Sequence, residues 1–175
     1  MEKNWDEIRK LAVEYAEDNI KNRSMNCSES VFEALIRCGA VDLPLEAVAY
    51  ATGLGGGGGG VGFTCGALAS GILANSIAHG RKDPSSSTNR MELKERYYKR
   101  YNNLVRDFVK VAGSGLCREI INAFPDGYGD SQTRPNCIRI VIEAAGLAVD
   151  YLRLDAEEAA ALEYDRDVVG INNWF

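Results

Sequence analysis

The stretch Gly53-Leu54-Gly55-Gly56-Gly57-Gly58-Gly59-Gly60-Val61-Gly62-Phe63-Thr64-Cys65-Gly66-Ala67 decides how the rest of the chain is read. Six consecutive glycines, Gly55 to Gly60, lead straight into a helix start that carries a cysteine in its first turn. Glycine loses the most backbone freedom on folding, so such a run inside a compact domain needs a reason. Either the loop is simply flexible, or its backbone approaches another segment, a cofactor or a substrate closely. Gly57, Gly58, Gly59, Gly60 and Gly66 are the candidate cofactor-binding positions, where the backbone could be closely approached. The run is not a phosphate loop in the usual sense: no Lys-Ser/Thr follows it, and the segment before it reads as helix rather than strand. Beyond Phe63, small and apolar residues from Cys65 to Ala78 predict a helix that Gly80 stops. Thr64 is placed to cap it, with Cys65 at the first helical position.

Upstream, Trp5, Ile8, Leu11, Ala12, Tyr15 and Ala16 recur at three- and four-residue intervals, which predicts an amphipathic helix over Asn4 to Lys21. Asn26 followed by Glu29 has the spacing of a capping box, and the helix it opens buries Val31, Phe32, Leu35 and Ile36 before Gly39. Pro44 suits the first turn of a helix over Leu45 to Thr52. Downstream, Arg81 to Thr88 reads as a polar turn and Asn89 as a cap. Leu93, Tyr97, Tyr101, Leu104, Val105 and Phe108 then form an apolar stripe of the kind used for core packing. Ser114 is placed to cap a short helix holding Cys117, Ile120 and Ile121. Phe124 to Pro135 is turn-rich, and Asn136-Cys137 opens a further helix. Asp155 caps a last one, Ala156 to Tyr164. No segment alternates with period two. The expected fold is all-α, a bundle of about six to seven helices with a glycine-rich loop.

The chain has 175 residues, enough for one domain spanning 1–175 with a real core. A net charge of −5 argues against nucleic acid or an anionic membrane surface as partner. No apolar run follows Met1, so no signal peptide is expected, and Gly53 to Ala78 is too rich in glycine and alanine for a membrane span. The expected location is cytoplasmic. There the five cysteines stay reduced, and an odd number does not suit a closed disulfide framework.

Four of those five, Cys27, Cys65, Cys117 and Cys137, fall in the first turn of an expected helix, whereas Cys38 falls near the end of one. The unpaired N–H groups of a helix start favour thiolate over thiol, by roughly 1 kcal/mol. Thiolates are both nucleophiles and metal ligands. A single buried cysteine is more simply a small hydrophobe, but the recurrence at four helix starts argues for a shared role. No pair is closer than 11 positions (38 − 27), so Cys-x-x-Cys chemistry is excluded. His79, the only histidine, sits at a helix C-terminus, where a dipole contact is its simplest role.

Asn26-Cys27 with Glu29, the glycine loop before Cys65-Gly66-Ala67, Cys117-Arg118-Glu119, and Cys137 with the alanine-rich helix behind it together resemble the C_GCAxxG_C_C family. The resemblance spans 26–148; 149–175 would be a C-terminal helix and tail. Ser70 stands where the pattern has its last glycine, Gly71 follows, and Cys38 lies outside the pattern. The resemblance implies a helical, redox-active protein and leaves the substrate open. Two chemistries remain. In one, Cys65 is the nucleophile of a thiol–disulfide site and Cys27, Cys117 or Cys137 resolves it. In the other, all four ligate an iron–sulfur cluster or another thiophilic metal. A structural zinc site is the third option. A redox partner is expected, and the Tyr-rich helix and the Cys65 helix each offer a face for a homodimer.

Overall fold

The computed structural model describes residues 3–86 and 90–168. Among them there is no strand, only one isolated antiparallel bridge between Thr64 and Leu116, and the fold is all-α. Helix α1 (Trp5–Asn22) is capped by Asn4, whose side chain accepts from the Glu7 amide. Helix α2 (Cys27–Arg37) begins with the full capping box: Asn26 accepts from Ser28 and Glu29, and Glu29 accepts from the Asn26 amide. Helix α3 (Gly66–His79) follows the glycine tract. A turn of helix at Arg90–Glu92 and a π-helical stretch, Leu93–Tyr98, run into α4 (Lys99–Ala112). Short helix α5 (Cys117–Asn122), long helix α6 (Thr133–Leu152) and α7 (Ala156–Ala161) complete the order.

Helices α1, α2, α3 and α6 pack on one another, with α4 laid against α6. Their shared core holds Val31, Phe32 and Leu35 from α2, Leu68 from α3 and Val141, Ala145 and Val149 from α6. Small residues let α6 come close to its neighbours: a Cβ on Gly146 would sit 3.0 Å from the Arg9 guanidinium. Between α1 and α2, buried Asn19 donates to the Ser30 carbonyl, and the buried Glu33 carboxylate is paired with Arg23 at 3.0 Å. A buried carboxylate is tolerated only when paired in this way.

The departures from the expected elements have local causes. Leu45–Leu54 is a 3-10 helix rather than an α-helix, with Pro44 as its N-cap instead of within its first turn. The glycine tract is an ordered, tight turn. Gly56 to Gly60 and Gly62 all have positive φ, and Gly60, Gly62 and Phe63 donate their amides to the carbonyls of Gly55, Gly56 and Gly57. Side chains are excluded from such a left-handed run, which is why it is built from glycine. Thr64 does not cap α3; it makes the bridge to Leu116, and Cys65 itself is the N-cap. Ser114 accepts from the Leu116 amide, but Leu116 is the N-cap of α5. Helix α6 starts at Thr133, so Asn136 and Cys137 lie inside it and Pro135 occupies its first turn, where the missing N–H has no helical partner anyway. Asp155 does cap α7, with Glu158 completing the box, and that helix ends at Ala161. The cap expected at Asn89 lies outside the described residues.

Candidate functional site

Cys27 is the first residue of α2, and its sulfur packs on the bare backbone of α3: a Cβ on Gly66 would stand 2.7 Å from it. The register of α2 against α3 is fixed beside it, where the buried Ser70 hydroxyl donates to the Ser28 carbonyl at 2.8 Å. The serine at the pattern's glycine position therefore ties the Cys27 helix to the Cys65 helix. Cys65, the N-cap of α3, is joined to the segment before α5 by its own amide, which donates to the Gly115 carbonyl at 2.8 Å. The amides of Cys117 and Arg118 return bonds to the carbonyls of Phe63 and Gly62, at 2.6 and 2.9 Å. This exchange sets Cys65, at the start of α3, beside Cys117, at the start of α5. Cys137 comes in from α6.

These four cysteines line one cavity of about 240 Å³. Its walls are otherwise aliphatic, with Ile20, Met25, Ile120, Ile121, Ile140 and Val141, and it also meets Asn26, Gly56, Tyr128 and Arg134. Cys38 is buried elsewhere and does not reach it. Of the glycines singled out for close approach, none of Gly57, Gly58, Gly59, Gly60 and Gly66 lines the cavity; Gly56 does. Gly58, Gly59 and Gly60 are exposed, with open space where a Cβ would be. Gly57 and Gly66 are close to the site from behind: a Cβ on Gly57 would stand 2.9 Å from the Cys117 Cβ.

At Cys65, burial reverses the acidity expected of a helix start. Cys65 and Cys117 are each 7% exposed, while Cys27 and Cys137 are partly exposed. The Cys65 thiol is pushed up to about 12, first by burial and then by the neighbouring Cys27 sulfur. The Ala67 and Leu68 amides at the start of α3 pull the other way and are outweighed. Cys137 is raised by burial and by Cys117 and Cys27, against a smaller opposing effect of Arg134. Cys38 is raised mainly by burial. His79 donates from Nε2 to the Leu152 carbonyl at 2.9 Å, and burial lowers its pKa. It does not line the cavity.

The five cysteines are free thiols. Among the described residues, no group of three or more His, Cys, Asp or Glu side chains is gathered closely enough to hold a metal ion. The four sulfurs thus share a cavity without forming a ready-made ion site. Several lining residues, Tyr128 and Arg134 among them, were not singled out from the sequence. The signal for Tyr128 was an aromatic residue between two glycines, Gly127-Tyr128-Gly129, in the turn that joins Cys117 to Cys137.

Fold and site define an all-α protein with four cysteines, drawn from separate elements, around one cavity. The family model described as Putative redox-active protein (C_GCAxxG_C_C) matches residues 25–151, and the chain belongs to that family. No curated protein and no solved structure was found to match it.

Proposed function

We propose that the chain is a thiol–disulfide redox protein of one domain, working in a reducing, cytoplasmic setting, with its centre in the cavity of Cys27, Cys65, Cys117 and Cys137. The observation that carries this is the convergence itself: the four pattern cysteines face one space and Cys38 does not. Thiols gathered in an aliphatic pocket are poised to pair with one another, since exchange needs a second sulfur within reach of the first. The role of first nucleophile assigned to Cys65 is better given to another of the four. Its thiol is buried and holds its proton at neutral pH, which suits a resolving or storage sulfur. The redox partner is a molecule that exchanges two electrons with a dithiol.

The test is a free-thiol count before and after mild oxidation, with the disulfides mapped by mass spectrometry. It is paired with metal analysis and a visible spectrum on protein purified without oxygen. The expected protein is colourless and metal-free, and loses two or four thiols reversibly. Cys65→Ser removes at least one pair, whereas Cys38→Ser behaves as the parent. Iron and sulfide with a visible band, or stoichiometric zinc, would overturn the reading. Equal effects of the two serine variants would overturn the assignment of the four-cysteine set.

A further inference from the structure

Tyr128 belongs to neither the cysteine pattern nor an α-helix. It sits on the 3-10 turn Gly127–Gly129. The turn is anchored from α6 by the buried Thr133, whose hydroxyl donates to the Gly127 carbonyl. Gly127, at φ +55°, is packed over Ile121. The residue is 69% exposed, so apolar burial does little to hold the ring in place. Its polar end is the informative part. The hydroxyl reaches the cavity and stands 3.6 Å from the Cys117 sulfur. Among the described residues, this is the one side-chain hydrogen bond made by any of the four cavity sulfurs.

We propose that Tyr128 donates this hydrogen bond to Cys117 during exchange, and so selects Cys117 as the sulfur that meets a low-molecular-weight disulfide. The proposal rests on reading the cavity as a thiol–disulfide centre. The phenol keeps its proton at neutral pH, because desolvation of its inner end, the Cys117 contact and the nearby sulfurs all raise its pKa. It is therefore a donor to a sulfur that carries negative charge. The cavity holds Arg134 as its one charged side chain and no carboxylate, and Cys117 is the one lining sulfur within hydrogen-bond distance of the phenol among the described residues.

The step balances as follows. The Cys117 proton leaves to solvent, and the thiolate attacks one sulfur of RS–SR. A Cys117–S–S–R bond forms and the RS–SR bond breaks, releasing RS⁻, which takes a proton from water. A second cavity cysteine then gives up its proton and attacks the Cys117 sulfur, closing an internal disulfide. That proton accompanies the departing RS⁻. Two protein thiols are oxidised and one disulfide is reduced to two RSH. In the reverse direction the same hydrogen bond stabilises Cys117 as the leaving thiolate.

The experiment uses the full chain with reduced thiols and an aromatic disulfide whose released thiolate is coloured, each mixed disulfide being located by peptide mass spectrometry. Tyr128→Phe removes only the hydroxyl. Losing a hydrogen bond to a charged sulfur lowers the thiolate population about tenfold. The remaining thiolate is then more nucleophilic by about threefold, given a Brønsted coefficient near 0.45. Mixed-disulfide formation at Cys117 should slow about threefold, with Cys27 and Cys137 unchanged. Tyr128→Ala should show the same loss at Cys117 relative to the other two. An unchanged or faster Cys117 in Tyr128→Phe would overturn the proposal, as would a parallel change at all the cavity cysteines, the sign of a mere cover. This first step needs no internal disulfide. A chain that never closes one would refute the proposed function while still reporting whether Tyr128 acts on Cys117.

Discussion

Gly66 and Gly71 lie on the same helix, and the structure predicts opposite outcomes when each becomes alanine. At Gly66 the added Cβ would stand 2.7 Å from the Cys27 sulfur, 2.9 Å from the Leu54 carbonyl oxygen and 3.2 Å from the Ser28 Cβ. The sulfur can rotate away; the Leu54 carbonyl is backbone and cannot move without shifting the end of the 3-10 helix. Overpacking of this kind costs about 1–3 kcal/mol. Alanine regains at most about 1 kcal/mol of helix propensity, and less at the first helical position. The net loss is about 1–2 kcal/mol, a fall in Tm of about 2–8 °C for a chain of this size. At Gly71 the nearest atoms would be the Ala148 Cβ at 3.5 Å and the Leu104 Cδ2 at 3.8 Å, both ordinary contacts. There the propensity gain is nearly whole and a methyl is buried, so Tm should rise by about 2–4 °C. Thermal melts followed by circular dichroism, with urea midpoints as a second measure, read both. Alkylation of Cys27 should change in Gly66→Ala and stay as in the parent in Gly71→Ala. A Gly66→Ala protein as stable as the parent would show that α3 does not approach α2 and Leu54 this closely, and the packing argument for the site would fail.

The remaining expectations concern protons and electrons. Cys65 is pushed up to about 12 in the fold from an ordinary 9.0. Between those values the unfolded chain has lost a proton that the folded chain still holds. Stability therefore falls as pH rises from about 9 towards 12, by up to about 1.4 kcal/mol per pH unit from this group. Urea midpoints of the reduced protein between pH 8 and 10.5 should drop more steeply in the parent than in Cys65→Ser; parallel slopes would refute the burial argument. Thiols that keep their protons do not stabilise the reduced form specially, so a disulfide involving Cys65 should have a potential below about −230 mV. Thiol counts across a series of dithiol redox buffers measure it, and a value above about −180 mV would contradict the acidity assigned to Cys65.

The helices were legible because their signals are local. The stripe from Trp5 to Ala16, the pair Asn26 and Glu29, and the cap Asp155 each act within a few residues, and each appears in the structure where its position places it. What was not legible depends on distant packing. The start of α6 at Thr133 is set partly by the turn before it, where the Asp130 carbonyl accepts from Thr133 and its side chain accepts from Gln132. The acidity of Cys65 was read from its helix start, an effect worth roughly 0.3–1 kcal/mol. Moving a thiol from 9.0 to about 12 corresponds to several kcal/mol of opposing burial. Burial is decided by which helices close over the sulfur, and no short stretch of sequence encodes that. Position at a helix start makes a cysteine reactive only where water or a donor also reaches it.

The glycine tract shows how the local and the distant meet. Its length suggested either a flexible loop or a backbone that closely approaches another segment, a cofactor or a substrate, and the cavity touches only Gly56. The turn bonds Phe63 back to Gly57 and leaves the carbonyls of Gly62 and Phe63 facing the start of α5, where Arg118 and Cys117 donate to them. A side chain at Gly57 would strike the Phe63 amide at 2.5 Å and the Cys117 Cβ at 2.9 Å, and one at Gly62 would meet the Arg118 Cβ at 3.0 Å. Positive φ and missing side chains are thus needed on the inner face of the turn, where another segment lies against it. The tract is a joint between two parts of the chain, and what it joins is Cys65 to Cys117. The chemistry proposed for the site belongs to cysteines and to Tyr128, but two of those cysteines reach one cavity across a turn that admits no side chains on its inner face.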